Sequence, residues 1–267
     1  ASNAPCAYAP FGIFSNRRST AQELFSGERL ARRLIFPTAV SAMDAKENAL
    51  RIIHFENPEY VAGVLPVRFA NYFGSNHEGF DGGEEPIAVG AEWTDIWGVG
   101  WRKELDGVMG FPRRHPLADL PRALREYAWP SPDDDRLCAR IYERARSADL
   151  TGVFLGGSHR NALWERAYML AGMENLMCCF KTEPNAVREL FRKIMDFQLG
   201  IQRHYLAIGV QIVMLSDDLG SQRSLLVSRE CIEDFFLPEY RRLIEAYKRE
   251  GVLIHFHSCG HIEPALD

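Results

Sequence analysis

The second half of the chain alternates short apolar runs with longer stretches whose apolar residues recur at helical spacing. The stretch from Pro184 to Ala207 carries one continuous apolar stripe, which predicts an amphipathic helix lying on a sheet. The predicted order is a strand at 152–155, a helix at 162–170, a strand at 175–179, a helix at 184–207, a strand at 211–215, a helix at 228–250 and a strand at 252–257. Strict alternation of strand and helix favours parallel strands, as in a doubly wound sheet or a (β/α)8 barrel.

The first half of the chain is less regular. A helical pattern begins at Ser41 and ends at Asn57-Pro58, and apolar runs at 60–69 and 90–99 predict two buried strands. Prolines recur between 107 and 135, which predicts an extended surface excursion ahead of a helix at 135–147. Residues 1–40 show no clean period, so we expect an N-terminal arm followed by one barrel domain at 41–267.

Composition and charge narrow the class of partner. The formal net charge of −5 and the pI near 5.9 argue against binding to nucleic acid or to an anionic membrane, and favour a small-molecule partner. No apolar run is long enough to span a bilayer and no leader pattern is visible, so a cytoplasmic location is expected. The cysteines lack the spacing of a disulfide scaffold, which predicts reduced thiols.

The strand at 252–257 runs directly into a segment rich in metal-ligating side chains. Alternate residues of a strand share one face, so His255, His257 and Cys259 can point the same way at the carboxyl end, where barrel enzymes hold their sites. Imidazole and thiolate are ligands that suit zinc, which takes about four of them. The alternative is that both histidines are hydrogen-bonded and Cys259 is a packed thiol.

Further polar residues follow other predicted strands. Asp217 and Asp218 come directly after the strand at 211–215 and are candidate catalytic carboxylates or caps of a turn or helix. The glycines before His159 and Arg160 permit close approach of a ligand, which makes both side chains candidates for substrate binding. Asp95 and Trp97 are candidates for lining the same cavity, although aromatic residues there are also typical of plain core.

These motifs together resemble the uroporphyrinogen decarboxylase superfamily, and specifically its branch of cobalamin-dependent methyltransferases. The resemblance extends over nearly all of the chain after residue 40. It is carried by segments that include "ENALRIIHFENPEYV", "TDIWGVGWR", "HPLADLPRALREYAWPSPDD" and "SDDLGSQRSLLVSRECIEDFFLPEYRRLIEAYKREGVLIHFHSCGHI".

The resemblance implies a distorted (β/α)8 barrel with a deep cavity at its carboxyl end. The methyltransferase branch binds zinc through a His-x-Cys pair, which His257 and Cys259 match, and a third ligand comes from well beyond that pair. It implies methyl transfer between a small donor or thiol and a corrinoid (cobalamin) protein. Zinc is therefore the expected metal, and a corrinoid the expected methyl carrier, on a partner protein or as substrate.

The sequence ends at Asp267, with fewer predicted strands than the eight of a closed barrel. The barrel is therefore expected to be C-terminally incomplete, to lack the distal ligand and to bind zinc weakly or not at all. Asp217, Asp218, His255 or Glu263 are candidates for a third ligand. An open sheet edge is an aggregation hazard, so a homo-oligomer or another chain is expected to cover it.

Two other functions remain open. A carboxy-lyase acting on a tetrapyrrole (porphyrin-type) substrate would use Asp95, which stands where decarboxylases of the superfamily have an aspartate, with Arg68 or Arg160 holding substrate carboxylates. Only Arg68 matches the arginine-rich segment of those enzymes. The third hypothesis is an inactive fragment that only binds metal or a corrinoid partner. For the enzyme hypotheses, Trp97, Asp95, His159, Asp217 and His257 are predicted to line one pocket.

Overall fold

The structure is a computed structural model that describes residues 43–75 and 87–266. The predicted N-terminal arm at 1–40 and the predicted helix start at Ser41 lie outside these residues. The first elements are α1 (Ala45–Ile53), β1 (Val67–Phe69), β2 (Glu92–Thr94), β3 (Gly100–Arg102), β4 (Phe111–Arg114), α2 (Leu120–Glu126) and α3 (Asp135–Ser147). They are followed by β5 (Phe154–Arg160), α4 (Trp164–Ala171), α5 (Met173–Thr182), α6 (Pro184–Ala207), β6 (Ile212–Ser216), α7 (Arg229–Cys231), a π-helical turn (Ile232–Phe236), α8 (Leu237–Arg249), β7 (Leu253–His257) and a 3-10 turn (Glu263–Ala265).

Four parallel strands form the main sheet of the described residues, in the order β1-β5-β6-β7. Val67 pairs with Phe154, Gly156 with Ile212, and Ile212 with Leu253. The prediction of parallel strands with their carboxyl ends at one edge is confirmed for β1, β6 and β7. Alternation of parallel strands with helices is the pattern of a (β/α) barrel, and these strands make up part of one.

The two faces of the sheet differ in what covers them. On one face, called here the inner face, Phe154 and Ile212 pack with Ala49 of α1, and Val67 and Leu253 join them. The opposite face packs against α6 and α8 and contributes Leu155, Val213 and Leu215 to the main core. Because side chains alternate along a strand, the inner face continues toward the carboxyl end through Ser158, Met214 and His255 to Arg160, Ser216 and His257.

The long helix α6 has the bounds that its apolar stripe predicts. Val187, Leu190, Ile194 and Ile201 are all completely buried, so the stripe covers the sheet as expected. Gly209 ends this region with φ of +73°, a left-handed backbone conformation that glycine adopts without strain. Ser228 caps α7 by accepting a hydrogen bond from the amide of Cys231, and Pro238 lies in the first turn of α8.

Several sequence predictions are wrong in detail. The segment 175–179 is predicted as a strand but lies inside helix α5, and the strand predicted at 60–69 is reduced to β1. The predicted strand at 90–99 is short and belongs to a separate antiparallel sheet of β2, β3 and β4. The proline-rich excursion at 107–135 contains β4 and α2 and is not a surface loop, because Leu117 and Leu120 are completely or nearly buried and α2 packs on α6.

The glycine pair before His159 is also not a loop, because it is the middle of β5. A Cβ atom at Gly156 would lie 2.4 Å from Val67 Cγ1, and one at Gly157 would lie 2.6 Å from the ring of Tyr205. The glycines are therefore needed because neighbouring side chains press on both faces of the strand.

His159 lies on the helix-covered face and is completely buried. Its Nδ1–H donates to Gln198 Oε1 of α6 at 2.7 Å, and its Nε2 accepts from the hydroxyl of Tyr247 of α8 at 2.6 Å. Burial lowers the pKa of His159 to about 4, so the ring is neutral at physiological pH. The side chain ties the sheet to two helices and faces away from His257.

The first prediction concerns the pH dependence of stability. The folded pKa of His159 (about 4) lies below the ordinary value of 6.5, so between these values the unfolded chain binds a proton that the folded chain does not. This lowers the free energy of unfolding as pH falls from 6.5 toward 4. In urea titrations at several pH values, His159→Gln should therefore lose roughly 2–3 kcal/mol less over this range than the unaltered protein. His54→Gln, which changes an exposed histidine, should keep the original slope. An unaltered slope in His159→Gln would contradict the buried, neutral state.

Candidate metal centre at the carboxyl ends of the strands

The loops that follow β6 and β7 are hydrogen-bonded to each other, mainly through backbone groups. The connecting hydrogen bonds are Asp217 N–H to His257 O (3.0 Å), Leu219 N–H to Ser258 Oγ (2.9 Å), Gly220 N–H to Cys259 O (3.2 Å) and His261 N–H to Ser221 O (2.7 Å). This set extends the pairing of the two strands beyond their ends. The two loops therefore form one unit, called here the loop clasp (residues 217–221 and 257–261).

Two glycines permit this close approach. Gly260 has φ of +83°, and a Cβ atom there would lie 2.4 Å from the carbonyl of Gly220. A Cβ atom at Gly220 would lie 2.7 Å from the amide nitrogen of His261. Both contacts involve backbone atoms, which cannot move aside cheaply, so a side chain at either position would separate the loops.

The loop clasp brings together Asp218, His257 and Cys259, whose ligand atoms all lie within 4.8 Å of one another. Cys259 Sγ is 3.5 Å from His257 Nε2, and His257 Nε2 is 3.8 Å from Asp218 Oδ1. A tetrahedral zinc ion with bonds of about 2.3 Å to sulfur and about 2.0 Å to nitrogen places these two atoms ~3.5 Å apart. The donor set and its spacing therefore fit zinc, with a fourth position left for water or substrate.

Asp218 also holds the backbone of the cysteine. Its Oδ1 accepts the amide hydrogen of Cys259 at 2.8 Å. The carboxylate, the thiol and the imidazole are all partly exposed, and the His257 side chain keeps 41% of its surface accessible. The cluster can therefore be reached from outside the protein.

Arg160 and Ser216 lie beside His257 on the inner face. Arg160 pairs with Ser216, and Ser216 pairs with His257, so the three residues form one row across β5, β6 and β7. Adjacent strands are about 4.8 Å apart, which puts the Arg160 backbone roughly 10 Å from that of His257. A cationic side chain and the metal-ligating cluster thus share one edge of the sheet.

Asp217 points to the other side and is completely buried. Its carboxylate accepts the amide hydrogens of Leu163, Trp164 and Glu165, at the start of α4, and the hydroxyl hydrogen of Tyr240. Burial raises the pKa of Asp217 to about 6, against the opposing effect of these donors. Asp217 therefore caps the N-terminus of α4, where a negative charge also interacts favourably with the helix dipole.

Glu165 is a buried carboxyl group that sequence reasoning missed. Burial first, and then the charges of Asp217 and Asp218, raise its pKa to about 9, so it is protonated at neutral pH. Its Oε1 lies 3.5 Å from the hydroxyl of Tyr168. Acidic residues are common in the first turn of a helix, so nothing in the sequence distinguished this one.

Asp95 and Trp97 lie in the turn between β2 and β3 and are buried there. The Asp95 carboxylate accepts the amide hydrogens of Trp97 and Val99, the indole hydrogen of Trp101, and a hydrogen from Arg166 of α4 at 2.9 Å. The Arg166 guanidinium also lies 5.0 Å from the centre of the Trp97 ring. This network fastens the small antiparallel sheet to α4.

The predicted site residues thus separate into groups rather than lining one pocket. Asp218, His257 and Cys259 form the cluster, with Arg160 in the same row. Asp217 and His159 face the helices, and Asp95 and Trp97 are enclosed with Arg166. Arg68 is exposed and alternates with Val67 and Phe69, so it lies on the face opposite to His257.

The second prediction tests the buried ion pair. Arg166→Met leaves the Asp95 carboxylate buried without its cationic partner, so the free energy of unfolding should fall by about 3–5 kcal/mol. Arg113→Met, which breaks the exposed ion pair with Glu104, should cost at most about 1 kcal/mol. Both are measured by urea denaturation. Equal stability of Arg166→Met and the unaltered protein would show that the pair does not anchor the antiparallel sheet.

Comparison with known proteins shows what parts of this chain resemble. Residues 148–267 match the family model described as uroporphyrinogen decarboxylase (URO-D). A methylated-thiol–coenzyme M methyltransferase from Methanosarcina mazei is 32% identical over 91 residues, which cover 34% of this chain and 23% of that protein. The alignment thus spans about a quarter of the length of that relative.

A solved structure described as a methyltransferase from Methanosarcina mazei shares the fold. It superposes with a TM-score of 0.54 at 11% identity, covering 83% of this chain and 72% of the other. The matched segment 148–267 contains β5, β6, β7 and the loop clasp. Residues 148–267 are therefore similar to the uroporphyrinogen decarboxylase family, and part of the chain is similar to a methyltransferase.

Proposed function

We propose that this chain is a zinc-dependent methyltransferase that moves a methyl group between a small donor or thiol and a corrinoid protein. The observation that carries the proposal is the set of Asp218, His257 and Cys259 ligand atoms within 4.8 Å of one another. The methyltransferase relative and the methyltransferase of similar fold agree in reaction class.

The proposed metal site has three ligands from this chain. His257 supplies an imidazole nitrogen, Cys259 a thiolate and Asp218 a carboxylate oxygen, which is the number that catalytic zinc sites take from protein. Asp218 therefore supplies a third ligand from within the chain, where the resemblance alone implies a distal one. Bound zinc would lower the pKa of a thiol so that the more nucleophilic thiolate forms near neutral pH.

The residues around the cluster have separate proposed tasks. Arg160 attracts an anionic part of the substrate, because its charge lies in the same row as His257. Asp217 is a positioning residue, since it fixes the end of β6 against α4 and leaves Asp218 on the ligand side. The exposure of His257 allows a methyl carrier on a partner protein to approach the thiol.

Two properties of the described chain bear on the class of partner. No helix among residues 43–75 and 87–266 combines the length and the apolarity that a membrane span requires. The negative net charge of the chain does not favour a nucleic acid. A small-molecule methyl donor or thiol and a corrinoid protein are accordingly the proposed partners.

The third prediction is a zinc measurement. The purified chain should hold about one zinc per chain, because three ligands converge. Cys259→Ala should lose the metal, and Asp218→Asn should weaken its affinity by at least roughly tenfold in competition with a chromogenic chelator. Cys178→Ala and Asp234→Asn change an exposed thiol and an exposed carboxylate elsewhere and should bind zinc normally.

Methyl transfer is then assayed with methylcobalamin and coenzyme M, the thiol in the name of the relative, by following the cobalamin spectrum. Loss of zinc and of transfer together in Cys259→Ala supports the proposal. Full zinc retention in Cys259→Ala would show that the thiol is not a ligand. Zinc binding at the cluster without any methyl transfer by the unaltered chain would reject the activity and keep the metal site.

A further inference from the structure

A shallow concavity, open to solvent, lies beside the loop clasp. It has a volume of about 490 Å³, and its walls include Arg223, Ser228, Arg229, His261 and Pro264. None of the three proposed metal ligands lines it, although His261 is only two residues beyond Cys259.

Arg223 lies at the tip of a tight hairpin rather than on a loose loop. The hairpin is closed by a bridge between Gly220 and Leu225 and by the Ser221 N–H donating to Ser224 O at 2.7 Å. The Ser221 hydroxyl also accepts the amide hydrogens of Arg223 (3.3 Å) and Ser224 (3.1 Å). The backbone that carries the Arg223 guanidinium is therefore fixed before any ligand binds.

The walls of the concavity carry positive charge and no carboxylate. Arg223 and Arg229 both line it, whereas the nearby Glu230 and Glu233 do not. Glu233 accepts a hydrogen from Arg229 Nε at 2.9 Å, in an exposed ion pair that offsets part of the positive charge of Arg229. Arg223 and Arg229 are thus the charged side chains of the lining. Guanidinium groups are well suited to oxyanions, which they bind with paired N–H donors.

We propose that this concavity is an anion-binding site that takes a phosphate, sulfonate or carboxylate group of a small molecule. The side chains of Arg223 and Arg229 would bind the anion from two sides. The proposal goes beyond methyl transfer, since it requires neither metal nor turnover.

The concavity adjoins the loop clasp, because His261 belongs to both. The amide of His261, in the wall of the concavity, donates to Ser221 O at 2.7 Å, and Ser221 is the first residue of the hairpin that holds Arg223. The next hydrogen bond inward joins Gly220 to Cys259. An anion bound to Arg223 would therefore lie on a hairpin whose base is hydrogen-bonded to the backbone of Cys259.

The fourth prediction is tested by calorimetric titration of the unaltered chain with inorganic phosphate, methanesulfonate and acetate, with chloride at equal ionic strength as the blank. At least one of the three anions should bind saturably, with a dissociation constant in the millimolar range. Arg223→Gln and Arg229→Gln should each weaken that binding by about tenfold, because each removes a charged hydrogen-bond donor. Arg223→Lys keeps the positive charge but loses the paired N–H donors of the guanidinium, so it should weaken anion binding less than Arg223→Gln does.

The matched control is Arg241→Gln, which removes an exposed arginine of α8 that does not line the concavity. It should bind the anion as the unaltered chain does, and the zinc content of every arginine variant should be unchanged. The order of affinity among the three anions identifies the ligand group. Absence of saturable binding for all three anions, or equal binding by Arg223→Gln and the unaltered chain, would overturn the proposal and leave the methyltransferase proposal unaffected.

Discussion

The arrangement of the carboxyl end depends on the Asp217 carboxylate. A buried charge is costly unless donors surround it, and here three amides at the start of α4 and the hydroxyl of Tyr240 supply them. The same carboxylate caps the N-terminus of α4. The N-cap residue Leu163 has no side-chain acceptor for the amide hydrogens of the first turn, and Asp217 accepts them instead. The Asp217 carboxylate thus connects the end of strand β6 with helices α4 and α8. The loop clasp begins at this residue, so its position follows from the same contact.

Two consecutive aspartates have different tasks because successive side chains at the end of a strand point to opposite faces of the sheet. Asp217 turns toward the helices, which leaves Asp218 on the side of His257. There its Oδ1 accepts the amide hydrogen of Cys259, so the carboxylate positions the thiol as well as lying near it. The glycines at 220 and 260 are the steric condition for this contact, since a Cβ atom at either would separate the loops. Metal-ligand spacing is therefore a property of the backbone pairing, not of the side chains alone.

The sequence predicted those elements whose pattern is long or bounded by strong signals. Helix α6 has an apolar stripe of about four turns from Val187 to Ile201, and β6 and β7 are apolar runs that end in polar loops. The strand prediction for 175–179 is wrong because a short apolar run fits a strand and a buried helix equally well. In the structure the segment is helical and packs on α6. The carboxylates at 217 and 218 were correctly expected at the carboxyl end. Their division of tasks was not predictable, because it depends on which way each side chain turns, and the sequence does not fix that.

Asp95 illustrates why position in a motif does not fix a role. Its place in the chain resembles that of an aspartate in decarboxylases, yet its carboxylate already accepts hydrogens from two amides, one indole and Arg166. A substrate group could reach it only by displacing one of these donors, at the cost of an unpaired buried polar atom. A carboxy-lyase that used Asp95 would therefore first have to open the turn that joins the antiparallel sheet to α4. The cluster around Cys259 needs no such opening, since it is partly exposed and its ligand atoms already converge, and this difference favours chemistry at the thiol.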